Sequence, residues 1–206
     1  MNRTDLKRLP WVTIVLLALN VLTFIVMHFI LGDTEDAGFM LEHGALYAPA
    51  VLQGKEYWRL ITSVFMHFGI RHLFNNMITL GVVGPFLERE TGRVRYSVIY
   101  LVSGILANVA TVYFYSWQQI NAVSAGASGA IFGIVGGLIG RIVRNRGRVQ
   151  GLGMPQMLLM AGLSLYHGFT TAGVNNLAHL SGLVFGFLIA LILGKPQKNV
   201  YTPRNL

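Results

Sequence analysis

From Trp11 to Leu31 the chain runs through twenty-one residues without one Asp, Glu, Lys or Arg. A helix rises about 1.5 Å per residue, so a stretch of this length crosses the roughly 30 Å hydrocarbon core of a bilayer. It is too long for the apolar segment of a signal peptide, no small-residue cleavage site follows it, and further apolar segments come after it, so it reads as a retained span. Composition agrees: 53% of residues are hydrophobic, only 12% are charged, and the mean hydropathy is +0.56. Those values describe a membrane protein and not a soluble domain.

The expected fold class is therefore an all-α polytopic membrane protein. Residues 1–206 are read as one membrane domain of six spans, at about 11–31, 69–87, 94–115, 127–141, 154–169 and 176–193. Both termini are expected inside. The outer segment 32–68 holds Asp33, Glu35, Asp36, Glu42 and Glu56; it is expected to be partly membrane-embedded, with short interfacial helices and Trp58 as an anchor. The net charge of +8 would suit nucleic acid, but its distribution argues otherwise. Arg3, Lys7, Arg8, Arg89, Arg93, Arg95, Arg141, Arg144, Arg146, Arg148, Lys195, Lys198 and Arg204 fall on one side of the expected spans, and only Lys55, Arg59 and Arg71 on the other. Thirteen against three is the positive-inside asymmetry of a polytopic protein, so the lipid bilayer is the expected partner and nucleic acid is not. The absence of cysteine removes disulfides, thiolate nucleophiles and Cys-ligated metals.

The chemistry gathers at one depth. Spans two, four and six all descend from outside to inside, each with polar residues near its outer start. Ser128 lies thirteen residues before Arg141, or roughly 20 Å above the inner boundary. His179 lies sixteen before Lys195, roughly 24 Å; His72 and Asn76 precede Glu88 by sixteen and twelve residues, roughly 24 and 18 Å. Small residues recur every four positions in span four (Gly129, Gly133, Gly137) and in span six (Ala178, Gly182, Gly186, Ala190), the pattern that lets two membrane helices approach closely. The expectation is that Ser128 meets His179. A histidine that takes the serine proton and returns it to the leaving amine makes a nucleophilic dyad. His72, Asn76 and the Ser128 amide can donate to an oxyanion. No Asp or Glu lies in spans four to six, so the familiar orienting carboxylate is missing.

Taken together, Gly126-Ala127-Ser128-Gly129, Ala178-His179-Leu180-Ser181-Gly182, and His67, His72 and Asn76 in His-x4-His-x3-Asn spacing closely resemble the rhomboid family of intramembrane serine proteases. Trp58-Arg59 and Gly84, Glu88 and Gly92 are similar to that family's patterns as well. The resemblance covers essentially the whole chain. It implies a six-span rhomboid-like bundle with Ser128 as nucleophile, His179 as general base and acid, and His72, Asn76 and the Ser128 amide as the oxyanion site. Gly126, Gly129, Phe132, His67 and Gly182 are implied in support. Phe132 stands where bacterial members often carry a tyrosine that stacks on the histidine. The resemblance also implies that span five and the loop 169–175 gate lateral access of a single-span substrate helix, cut near its outer end, and it fits a bacterial plasma membrane. No cofactor and no metal are expected.

Other polar residues carry plainer expectations. Ser103, Ser124, Ser164 and Ser181 are read as bonding the carbonyl one turn back. His28, His43 and His167 are read as packing or interfacial, His67 as positioning a loop, and Asn108, Asn175 and Asn176 as structural hydrogen bonders. Three histidines at one level resemble a metal site, but no carboxylate or cysteine accompanies them. Two rival functions remain: a transporter or proton relay, for which no inverted repeat is visible, and a non-proteolytic binder of membrane proteins on the same scaffold.

Overall fold

The computed structural model describes residues 9–171 and 173–193. Both termini, with the basic residues Arg3, Lys7, Arg8, Lys195, Lys198 and Arg204 assigned to the inner side, lie outside the described residues. Helix α1 (Trp11–Ile25) continues through a π-helical turn, Val26–Leu31. The outer segment forms three short helices, α2 (Ala37–Glu42), α3 (Ala48–Leu52) and α4 (Arg59–Thr62), the last followed by a 3-10 turn at Ser63–Phe65. Then come α5 (Gly69–Thr91), α6 (Arg93–Trp117) and α7 (Ser128–Arg144). A two-residue antiparallel ribbon, β1 (Arg148–Val149) with β2 (Leu152–Gly153), leads into α8 (Met154–Thr170) and α9 (Asn176–Leu193).

Among the described residues, six long helices lie where the spans were expected, to within a few residues. Three stretches, Trp11–Leu31, Arg93–Trp117 and Asn176–Leu193, are long and apolar enough to cross a membrane by length and composition alone. Their outward faces carry exposed apolar side chains such as Phe29, Ile30 and Ile192, as do Phe74 on α5 and Leu159 on α8. Soluble monomers do not leave that much contiguous apolar surface uncovered.

Helix α7 is the axis of the bundle, buried at every position from Gly129 to Ile142. A helix enclosed on all sides needs small residues wherever a neighbour's backbone comes close. A Cβ at Gly182 would land on the Gly129 carbonyl, one at Gly186 on the Gly133 carbonyl, and one at Gly136 on the Leu183 carbonyl. The expected four-residue stripe is corrected here at its C-terminal end. Gly137 faces Leu87 and Ile99, on α5 and α6, while Gly136 and Gly140 take up the contact with α9. Four residues advance a helix by slightly more than a turn, so a strict every-fourth stripe drifts away from its partner. The sequence 129, 133, 136, 140 follows the contact better.

Two of the charges taken as inner boundary markers, Glu88 and Arg141, are also buried. The Glu88 carboxylate accepts from the Val12 amide (2.9 Å), the Thr13 amide (2.8 Å) and the Thr13 hydroxyl (2.8 Å), so it caps the start of α1 from across the bundle. Glu90 accepts from Arg141 Nη2 at 3.0 Å and from Asn145 at 2.8 Å, joining the C-terminal ends of α5 and α7. Paired in this way, charges can sit inside a helix end, and α5 and α7 run three or four residues beyond the expected limits. In the outer segment Arg59 does the equivalent, donating to the Leu41 and Ala45 carbonyls and to Glu56, with its guanidinium 4.7 Å from the exposed Trp58 ring.

Candidate active site

The site is built where the link from α6 reaches the start of α7. Ser124 pairs with Leu46 through two backbone hydrogen bonds of 2.8 and 2.9 Å, and the Gly126 amide donates to the Ser63 carbonyl at 2.9 Å. All three bonds fasten the link to the outer segment. Gly126 has φ +142, and a Cβ there would stand 2.8 Å from His72 Cε1, 3.0 Å from its Nε2 and 3.7 Å from Asn76 Nδ2. Glycine is therefore required on conformation and on space, and its absent side chain is what lets His72 and Asn76 approach the backbone two residues before Ser128. Ser128 is the first residue of α7, so its amide belongs to the set that a helix leaves without intrahelical partners.

His72 and Asn76 lie one turn apart on α5 and so share a face. The Asn76 side chain is buried, and its Nδ2 has no partner among the described residues. A buried donor left unpaired costs about 1–3 kcal/mol, which is the kind of cost found where a group awaits a ligand. The His67 ring meets His72 edge to face at 5.2 Å, and its Nε2 accepts from the Ala127 amide at 3.4 Å. His67 precedes α5 and is almost fully buried; burial first, then the charge of His72, push its pKa down to about 3. It is a neutral ring that supports both His72 and the residue before Ser128.

His179 is the fourth residue of α9 and is buried. Its ring stacks on Phe132, centroids 4.4 Å apart and planes at 12°. A Cβ at Gly129 would lie 3.6 Å from the carbonyl oxygen of Ala178, so the residue after Ser128 rests on the residue before His179. The His179 Nδ1 is buried without a hydrogen-bond partner among the described residues, so the ring is oriented by stacking. His72 and His179 lie within range of each other's charge. Two sets of contacts thus flank Ser128 in the chain: Gly126 with His72 and Asn76, and His67 with His72 and Ala127, before it; Gly129 with Ala178 and Gly182, and Phe132 with His179, after it. The loop 169–175, implied as a gate, includes Ala172, which is outside the described residues.

Residues 54–196 match the Rhomboid domain family. The chain belongs to the rhomboid family. It is 34% identical over 197 residues to rhomboid protease GluP of Bacillus subtilis, covering 96% of this chain and 38% of that protein. It is 34% identical over 152 residues to RHOMBOID-like protein 7 of Arabidopsis thaliana, covering 73% and 47%. Over 106 residues it is 38% identical to the same plant's inactive RHOMBOID-like protein 8, covering 51% and 29%. The chain spans less than half the length of each of these rhomboid relatives. Membership, with the apolar helices, makes it a multi-pass membrane protein of rhomboid type.

Of the other polar residues, Ser103 bonds the Ile99 carbonyl one turn back, as expected. Ser124 does not: its hydroxyl accepts from Asn175, because it lies in the link and not in a helix. Asn175 does more than was expected of it. The signal for it was present, since an asparagine directly before an apolar helical run is a capping position.

Proposed function

We propose that this rhomboid is an intramembrane serine endopeptidase whose six long helices all cross the bilayer, with both termini inside. Ser128 Oγ attacks the carbonyl carbon of the scissile peptide bond as His179 takes its proton. The oxyanion accepts from His72, Asn76 and the Ser128 amide; the Asn76 Nδ2 has no other hydrogen-bond partner among the described residues. Collapse expels the amine with the proton held by His179, leaving an acyl-enzyme on Ser128. Water arriving from the outer side then loses a proton to His179 as it attacks the acyl carbon, and His179 returns that proton to Ser128 Oγ as the C–Oγ bond breaks and the acid leaves. The observation that supports this reading is the stack of Phe132 on His179 beside the contact of Gly129 with Ala178, the neighbours in sequence of Ser128 and His179.

The substrate is a single-span membrane protein that reaches the site laterally and is cut near the outer end of its helix. Its backbone must leave its own helical hydrogen bonds first, so helix-weakening residues around the cut favour cleavage. A bacterial plasma membrane is the proposed location. A mechanism-based serine-hydrolase probe tests the reading: covalent labelling of the parent, absent in Ser128→Ala, is the expected result. A parent that resists labelling, or a Ser128→Ala variant that is labelled equally, overturns it in favour of a binder or a transporter on this scaffold.

A further inference from the structure

Asn175 directly precedes α9 and uses all of its side chain. Its Oδ1 accepts from the Ala178 amide at 3.0 Å, and its own carbonyl accepts from the His179 amide at 3.3 Å. Its Nδ2 donates to Thr111 Oγ1 on α6 at 3.1 Å and to Ser124 Oγ in the α6–α7 link at 3.2 Å. Ser, Thr or Asp would serve as well for capping, but none of them adds an amide donor to the cap acceptor. The residue choice therefore exceeds what ending a helix demands.

The two acceptors are themselves fixed to the elements that hold the serine. Thr111 donates to the Ala107 carbonyl at 2.9 Å, and Ala107 faces Gly129: a Cβ there would lie 3.2 Å from the Ala107 Cβ. Ser124 is paired with Leu46 and lies four residues before Ser128. We infer that Asn175 is a positioning residue for His179: it clamps the first turn of α9 to α6 and to the link, and so sets the imidazole's distance from Ser128. Phe132 controls the tilt of the ring, and Asn175 controls where the turn that carries it sits.

This inference rests on the Ser128–His179 reading, and the test separates the two. Cleavage of a single-span substrate is measured in detergent, with the active fraction titrated by a serine-hydrolase probe. Asn175→Ser keeps a cap acceptor but lacks the amide donors. It is expected to lower kcat per labelled site about tenfold, with KM changed by less than about twofold, because a misplaced base costs rate and not binding. The double variant Thr111→Val with Ser124→Ala removes the acceptors without touching α9 and keeps the test alive if Asn175→Ser folds poorly. It should show the same loss, and adding Asn175→Ser to it should lose little more. A purely structural role would reduce the labelled fraction and leave kcat per labelled site intact. The clamp is overturned if kcat per site in the double variant stays within about twofold of the parent, or if the loss is in KM alone. Probe labelling that survives Ser128→Ala is a different failure, of the dyad itself.

Discussion

The Phe132 ring lies parallel to the His179 imidazole at 4.4 Å, one helical turn after Ser128 on α7. Aromatic pairs of this kind contribute about 0.5–1.5 kcal/mol beyond area burial. Phe132→Leu is therefore expected to lower kcat roughly threefold to tenfold, and Phe132→Tyr to retain the parental rate, since tyrosine preserves the ring. Steady-state cleavage by the two variants checks this.

Close approach of α7 and α9 makes a second prediction. Gly182→Ala drives a methyl into the Gly129 carbonyl and should cost about 1–3 kcal/mol as overpacking, with loss of activity because the contact lies between the helices that carry the proposed pair. Gly162→Ala on α8, where nothing lies within 4 Å of the added Cβ, is the control and should be neutral or slightly stabilising. Thermal unfolding in detergent compares the two.

Glu88 holds the start of α1 through two amides and a hydroxyl. Glu88→Gln keeps one acceptor oxygen and replaces the other with a donor that faces donors. A loss of about 1–3 kcal/mol is expected, seen as a lower unfolding midpoint at unchanged substrate preference.

His67 gives a pH dependence whose sign follows from its burial. Its pKa is near 6.5 when unfolded and about 3 when folded, so the unfolded chain binds the proton more readily between those values. The stability this residue contributes is complete above about pH 6.5 and is lost as pH falls toward about 3, by at most about 1.4 kcal/mol per unit. Unfolding midpoints at pH 7.5 and 5 should therefore differ less in His67→Gln than in the parent.

The long helices were legible because charge-free runs and basic clusters alternate along the chain, and the candidate site was proposed because the helical rise assigns Ser128, His179, His72 and Asn76 a similar depth. Side-chain partnerships across the bundle were not. Glu88 reads as a solvent charge until α1 is seen to begin beside it, and the Glu90–Arg141 pair joins residues far apart in sequence. Gly137 fits a four-residue stripe on paper, but the helix turns it toward Leu87. Asn175 shows its capping position in the sequence; its two donors acquire meaning only from Thr111 and Ser124, which tertiary packing brings to it.

The central claim is that Ser128 and His179 act on a peptide bond within the membrane. Its most direct test is cleavage of a single-span substrate by the purified protein in liposomes, with Ser128→Ala and His179→Ala alongside. The parent is expected to cut near the outer end of the substrate helix, and neither variant above background. Cleavage by either variant at the parental rate would contradict the claim.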